Sequence, residues 1–237
     1  MLKFNGRSDG LGNRIEELIN LECHCIENDT SCNYYWNNKY NFRSYKNLLN
    51  CKNILIQDNY LHKNINIECN FDKYNNIQMR NACKNINYFE SINTDLSYIS
   101  IHIRSTDKLN NRGRDEFTYD FFIDKLKKTL NYLNNMSEEM NIFIASDDNK
   151  YKEYYIKNLN KNYHIVDPFL NIIDDTVYKD YFSLVHSKKI LMVPKFSSFA
   201  ATASLLGNNI LLSHCHENET SLSRYRCNIE YIDNIKT

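Results

Sequence analysis

The chain has 237 residues, 42% of them hydrophobic and 24% charged, enough for one large domain or two small ones. Its 29 basic and 29 acidic residues cancel, so no general field draws it to nucleic acid or to an anionic membrane. No apolar run approaches the roughly 20 residues that span a bilayer. The opening MLKFNGRSDG lacks the charged, apolar and small-residue regions of a secretory signal. The expectation is a cytoplasmic protein, bacterial or in the cytosol of a virus-infected host, without an integral membrane segment.

Asn, Lys, Ile and Tyr are abundant, whereas Gly occurs 5 times and Pro twice. This is the codon signature of an AT-rich genome, and it blunts turn prediction, because an asparagine marks a turn only where it is rare. With 13% aromatic residues a core can still be built. The 8 cysteines form no CxxC pair. In Cys23-His24-Cys25 and His214-Cys215-His216 neighbouring side chains alternate in direction along an extended segment. Buried, reduced thiols are therefore expected in place of a zinc site.

Along the chain, Leu2–Phe4 reads as a strand. It runs into the loop Gly6 to Arg14, which holds Gly6, Gly10 and Gly12, three of the five glycines. Such a concentration lets backbone approach a ligand closely. The loop has neither the GK[ST] of a Walker motif nor the spacing of a dinucleotide fingerprint. An amphipathic helix with Ile15, Leu18, Ile19 and Cys23 on one face follows. Short strands are expected at 33–36 and 53–57, and the stretch 62–93 shows little pattern. A boundary near residue 95 divides a small first lobe, 1–95, from a second, 96–237.

The second half alternates cleanly. Strands are expected at 98–104, 141–146, 163–166, 190–193 and 210–213, and helices at 117–133, 150–159, 177–186 and 197–206. Alternation of this kind predicts an α/β fold with right-handed crossovers and a parallel sheet. Continuous apolar strands fit a sheet covered on both faces. Ligands bind such sheets at the carboxyl ends of the strands, where this chain gathers its polar residues.

His102 and Arg104 point the same way from one strand. An arginine there can fork onto a phosphate, with Asp107 orienting it. The bland alternative is a rim ion pair. Asp147 and Asp148 end the next strand, placed to take sugar hydroxyls or to cap the following helix. Ser197 and Ser198 open a small-residue helix, as simple caps or as part of an anion site.

Taken in order, GLGNRI, HIRSTDK, IFIASDD and KFSSFAATASLLG resemble the fucosyltransferases of the HxRxxD superfamily. That superfamily comprises α-1,6-, nodulation-factor, α-1,2- and protein O-fucosyltransferases, and HIRSTDK is most similar to the α-1,6 class. The resemblance implies a GT-B fold of two Rossmann-like lobes. It also implies GDP-β-L-fucose as donor substrate, a glycan or other hydroxyl acceptor, inversion at the anomeric carbon, and neither metal nor cofactor. It gives Arg104 and Ser198 to the donor diphosphate and Asp180 to guanine N1–H and N2–H. His102 is expected to contact the nucleotide through its backbone. Asp107, Lys108, Asp147 and Asp148 fall at positions that the class needs for activity, and Gly10, Gly12, Asn13 and Arg14 on the first-lobe side.

Two departures stand out. Ser105 replaces a second arginine, leaving diphosphate neutralisation weaker or shared with Arg112 or Arg114. The glutamate base of the class falls near Arg112, so the base is open among Asp115, Glu116 and, from the first lobe, Glu16 or Glu17. The same fold with another nucleotide sugar, and a non-catalytic nucleotide-sugar- or glycan-binding module, are the alternatives.

Overall fold

A computed structural model of the protein describes residues 2–7, 10–36, 49–57, 73–88, 96–105, 118–136, 139–160, 162–170, 175–194, 196–214 and 227–232. The chain falls into two units, Met1–Asn93 with Arg224–Arg226, and Thr94–Ser223 with Cys227–Thr237.

The first unit opens with β1 (Leu2–Asn5), α1 (Leu11–Glu27) and β2 (Cys32–Tyr35). The two strands are parallel, with Leu2 opposite Cys32, so this is a βαβ unit. After β3 (Leu49–Cys51), β4 (Ile54–Gln57) adds to β2 in parallel. Then come α2 (Asn76–Lys84) and β5 (Ile86–Tyr88), which pairs antiparallel with β3.

In α1, Ile15, Leu18, Ile19 and Cys23 form the expected buried face, and Leu11 is buried too. Glu17 and Glu22 are buried as well, which is tolerable only with partners. Glu22 accepts from the side-chain amides of Asn53 at 2.7 Å and Asn85 at 2.9 Å. Glu17 accepts from the Tyr34 hydroxyl at 2.8 Å and the Arg7 amide at 2.9 Å. Burial, and then the charge of Glu22, push the Cys23 and Cys25 thiols up to about 12 and about 11. The described cysteines form no disulfide with one another. Cys69 and Cys215 lie outside the described residues.

The second unit is built from β6 (Tyr98–Ile103), α3 (Tyr119–Asn134), β7 (Met140–Ser146), α4 (Asn149–Asn158) and β8 (Tyr163–Ile165). These are followed by α5 (Thr176–Val185), β9 (Lys189–Val193), α6 (Ser198–Gly207), β10 (Ile210–Ser213) and β11 (Asn228–Tyr231). The strands form one parallel sheet in the order β8-β7-β6-β9-β10-β11. The first strand of the unit thus lies in the middle, and later strands are added outward on either side, as in doubly wound dinucleotide-binding folds.

All six residues of β6 are buried, because alternate side chains feed two different layers. Ile99, Ile101 and Ile103 join Phe122, Leu126 and Leu130 of α3 and Tyr151 and Tyr155 of α4 in one apolar cluster. The intervening residues turn to α5 and α6. The Tyr98 hydroxyl donates to the Ser183 carbonyl at 2.8 Å, and His102 reaches Ser197. The alternation therefore decides which chemistry the strand presents to which layer. Among the described residues, no helix is long and apolar enough to cross a membrane.

Candidate active site

The strand order of the second unit reverses between β6 and β9, and in such sheets that point opens a crevice beyond the carboxyl ends of the strands. Here the two strand ends remain tied together, the Arg104 amide donating to the Val193 carbonyl at 2.9 Å. Beside this tie lies a pocket of about 180 Å³ lined by His102, Arg104, Ala145, Ser146, Asp147, Thr176, Val177, Asp180 and Phe199. Four of the residues singled out from sequence, His102, Arg104, Asp147 and Asp180, thus share one cavity.

Each is positioned by its element. His102 is 5% exposed. Its ring stacks on Phe199, centroids 5.3 Å apart and planes 20° apart, and its Nε2 lies 2.9 Å from Ser197 Oγ. Ser197 is the N-cap residue of α6, yet its side chain makes no capping hydrogen bond. The simple capping role is therefore not what its hydroxyl does. Ser198 begins the helix, partly exposed.

Arg104 is 36% exposed in its side chain, with Nε 3.8 Å from Asp147 Oδ2. The other oxygen of Asp147 accepts from both the amide and the hydroxyl of Ser105, each at 2.8 Å. Asp148 does the bland work of its pair. It caps α4 by accepting from the Lys150 amide, and its Oδ2 lies 3.4 Å from Lys150 Nζ.

Asp180 sits half-buried on α5 and lines the pocket. Burial pushes its carboxyl up to about 7, Lys152 and Lys179 pull it down, and Asp167 pushes it up further. Lys179 is itself committed to Asp167 at 2.7 Å, which weakens its pull on Asp180.

In the first unit, Gly10 is the N-cap of α1, exposed and without a side chain to cap with, and the Asn13 amide donates back to its carbonyl at 3.1 Å. Gly12 is buried and Asn13 half-buried. Arg14 is wholly buried, its guanidinium 4.9 Å from the centre of the Trp36 ring. Expected at a ligand surface, its side chain instead packs inside the unit. Glu16 and Glu17 are buried on α1, and Glu17 is held by Tyr34 and Arg7. Asp107, Lys108, Arg112, Arg114, Asp115 and Glu116 lie outside the described residues. Sequence reasoning missed Phe199 and the wall from Thr176 and Val177, and it read Ser105 only as a lost cation. Periodicity alone carries no signal for any of them.

Compared by sequence, the chain matches no protein-family model and no curated protein. Compared by structure, its fold is GT-B-like and similar to that of solved fucosyltransferase structures. The particular likeness is to NodZ α-1,6-fucosyltransferase soaked with GDP-fucose, at 11% identity and a TM-score of 0.55, over 86% of this chain and 91% of that one. The fucosyltransferase NodZ from Bradyrhizobium aligns at 11% identity and a TM-score of 0.56, over 86% and 92% of the two chains. NodZ co-crystallized with GDP aligns at 12% and 0.56, over 86% and 91%.

Proposed function

We propose that the protein is an inverting, metal-independent glycosyltransferase that moves L-fucose from GDP-β-L-fucose to a hydroxyl acceptor. The observation that carries this reading is the pocket at the sheet's reversal point, where one guanidinium and two carboxylates meet beside an uncapped helix start. The fold likeness to a fucosyltransferase soaked with GDP-fucose supports the choice of donor.

The chemistry follows from the charges. The bond between the fucose anomeric carbon and the β-phosphate oxygen breaks while the acceptor oxygen bonds to the opposite face of that carbon. The acceptor proton goes to a general base, and GDP leaves with the bond's electron pair. Negative charge therefore grows on the β-phosphate as the transition state forms. A fixed arginine and the backbone N–H groups of a helix start stabilise that growing charge more than the ground state, which is the condition for catalysis. Arg104 and the start of α6 at Ser198 take this role. Asp180, ionised, accepts from guanine N1–H and N2–H. Asp115 and Glu116 are the first candidates for the base, and Glu16 is the candidate from the first unit.

A thermal-shift panel tests the donor. GDP-fucose and GDP are expected to raise the melting temperature by mass action, and UDP-sugars to leave it unchanged. Equal shifts from both nucleotides would remove the guanine reading. No shift from either would remove the donor site.

A further inference from the structure

Ser105 is 1% exposed, and the resemblance to the α-1,6 class implies a second arginine at its position. Both of its donors go to one atom, since the amide and the hydroxyl each lie 2.8 Å from Asp147 Oδ1. The Asp147 amide in turn donates to the Ile103 carbonyl at 3.4 Å, so the ends of β6 and β7 stay joined up to this point. A carboxylate that accepts two donors on one oxygen from a single neighbour cannot rotate freely. Its other oxygen, Oδ2, faces Arg104 Nε at 3.8 Å. All three residues belong to two strand ends, and two of them, Arg104 and Asp147, line the pocket.

We propose that Ser105 is a positioning residue for the donor phosphates: by clasping Asp147 it sets the carboxylate that aims the Arg104 guanidinium across the pocket. The inference rests on the donor site proposed above. It reverses the expectation drawn from sequence, because the serine is no diluted substitute for a cation. Among the described residues one guanidinium lines the pocket, and the clasp aims it. An arginine at this buried position would keep the backbone bond to Asp147 but lose the hydroxyl's.

The test uses the full chain with GDP as the probe, by titration calorimetry. Ser105→Ala keeps the amide and loses the hydroxyl, and is expected to weaken GDP by about tenfold. Ser105→Thr, which keeps the hydroxyl, should stay within about twofold of the parent. Ser105→Arg is expected to weaken GDP; tighter binding by that variant would overturn the proposal. In an Asp147→Ala background, Ser105→Ala should change GDP affinity by less than about twofold, whereas a full additive loss there would also overturn it.

A second readout does not depend on the donor. In the ligand-free protein, exchange of the Arg104 Nε–H with water, followed by 15N NMR, should be slowed. It should speed up in Ser105→Ala and Asp147→Ala and be slow again in Ser105→Thr. Unchanged exchange in Ser105→Ala would refute the clasp. Should the parent chain fail to bind GDP, the donor reading falls, and the NMR result alone decides the role of Ser105.

Discussion

His102 and Ser197, 95 residues apart, meet side chain to side chain, Nε2 to Oγ at 2.9 Å, across the point where the strand order reverses. The N-cap serine of α6 thereby turns its hydroxyl sideways onto β6 and leaves its own helix uncapped. A helix start without a capping side chain keeps its N–H groups available to an anion.

This relationship makes a prediction opposite to that for an ordinary cap. Ser197→Ala should cost about 1–3 kcal/mol, from the buried imidazole nitrogen left without its hydroxyl partner, with nothing due to lost capping. Urea denaturation of Ser197→Ala, His102→Phe and the double variant checks it. The two single losses are expected to be strongly non-additive, and additive losses would show that the pair is not coupled.

Asp180 gives a pH dependence. Its folded-state carboxyl, pushed up to about 7 by burial, holds a proton that the unfolded chain has already released. Stability from this group is present at low pH and declines as pH rises from the usual carboxylate range through about 7. Asp180→Asn should flatten that decline. GDP binding should move the other way, tightening as pH rises through about 7 and the carboxylate forms. Calorimetry in two buffers of different ionisation enthalpy should show proton release on binding, and its absence would separate Asp180 from the ligand.

Gly207, the last residue of α6, tests the packing that sets the helix start. A Cβ there would run into the Val185 carbonyl of α5, which is backbone and cannot swing aside. Gly207→Ala is expected to destabilise the protein by about 1–3 kcal/mol, seen as a lowered urea midpoint. An unchanged midpoint would mean that α5 and α6 pack more loosely than the structure shows.

How far the sequence reveals all this depends on the residue types involved. Tyr98–Ile103 is buried throughout and Met140–Ser146 is buried from Ile142 to Ala145, and their apolar continuity is enough to identify central parallel strands. Asn76–Lys84 escaped notice although Asn75 and Gln78 form a full capping box. In a chain this rich in asparagine, one more such residue carries no contrast. The strand Asn228–Tyr231 alternates in burial at the sheet edge, and four residues are too few to stand out. The clustering of His102, Arg104 and Asp147 is foreshadowed by their places at strand ends, and the place of Asp180 only by the family resemblance. The clasp from Ser105 is not, because a serine at a strand end has no pattern until its partner's coordinates are known.

Turnover of GDP-fucose by parent, Arg104→Lys and Arg104→Ala chains reads the role of Arg104 in the donor site. With release of GDP followed at saturating donor, Arg104→Ala should lose roughly 100-fold or more in kcat while keeping the parent's unfolding midpoint, and Arg104→Lys should recover only a small part. Release of GDP by Arg104→Ala at the parent's rate would show that Arg104 takes no part in breaking the donor bond.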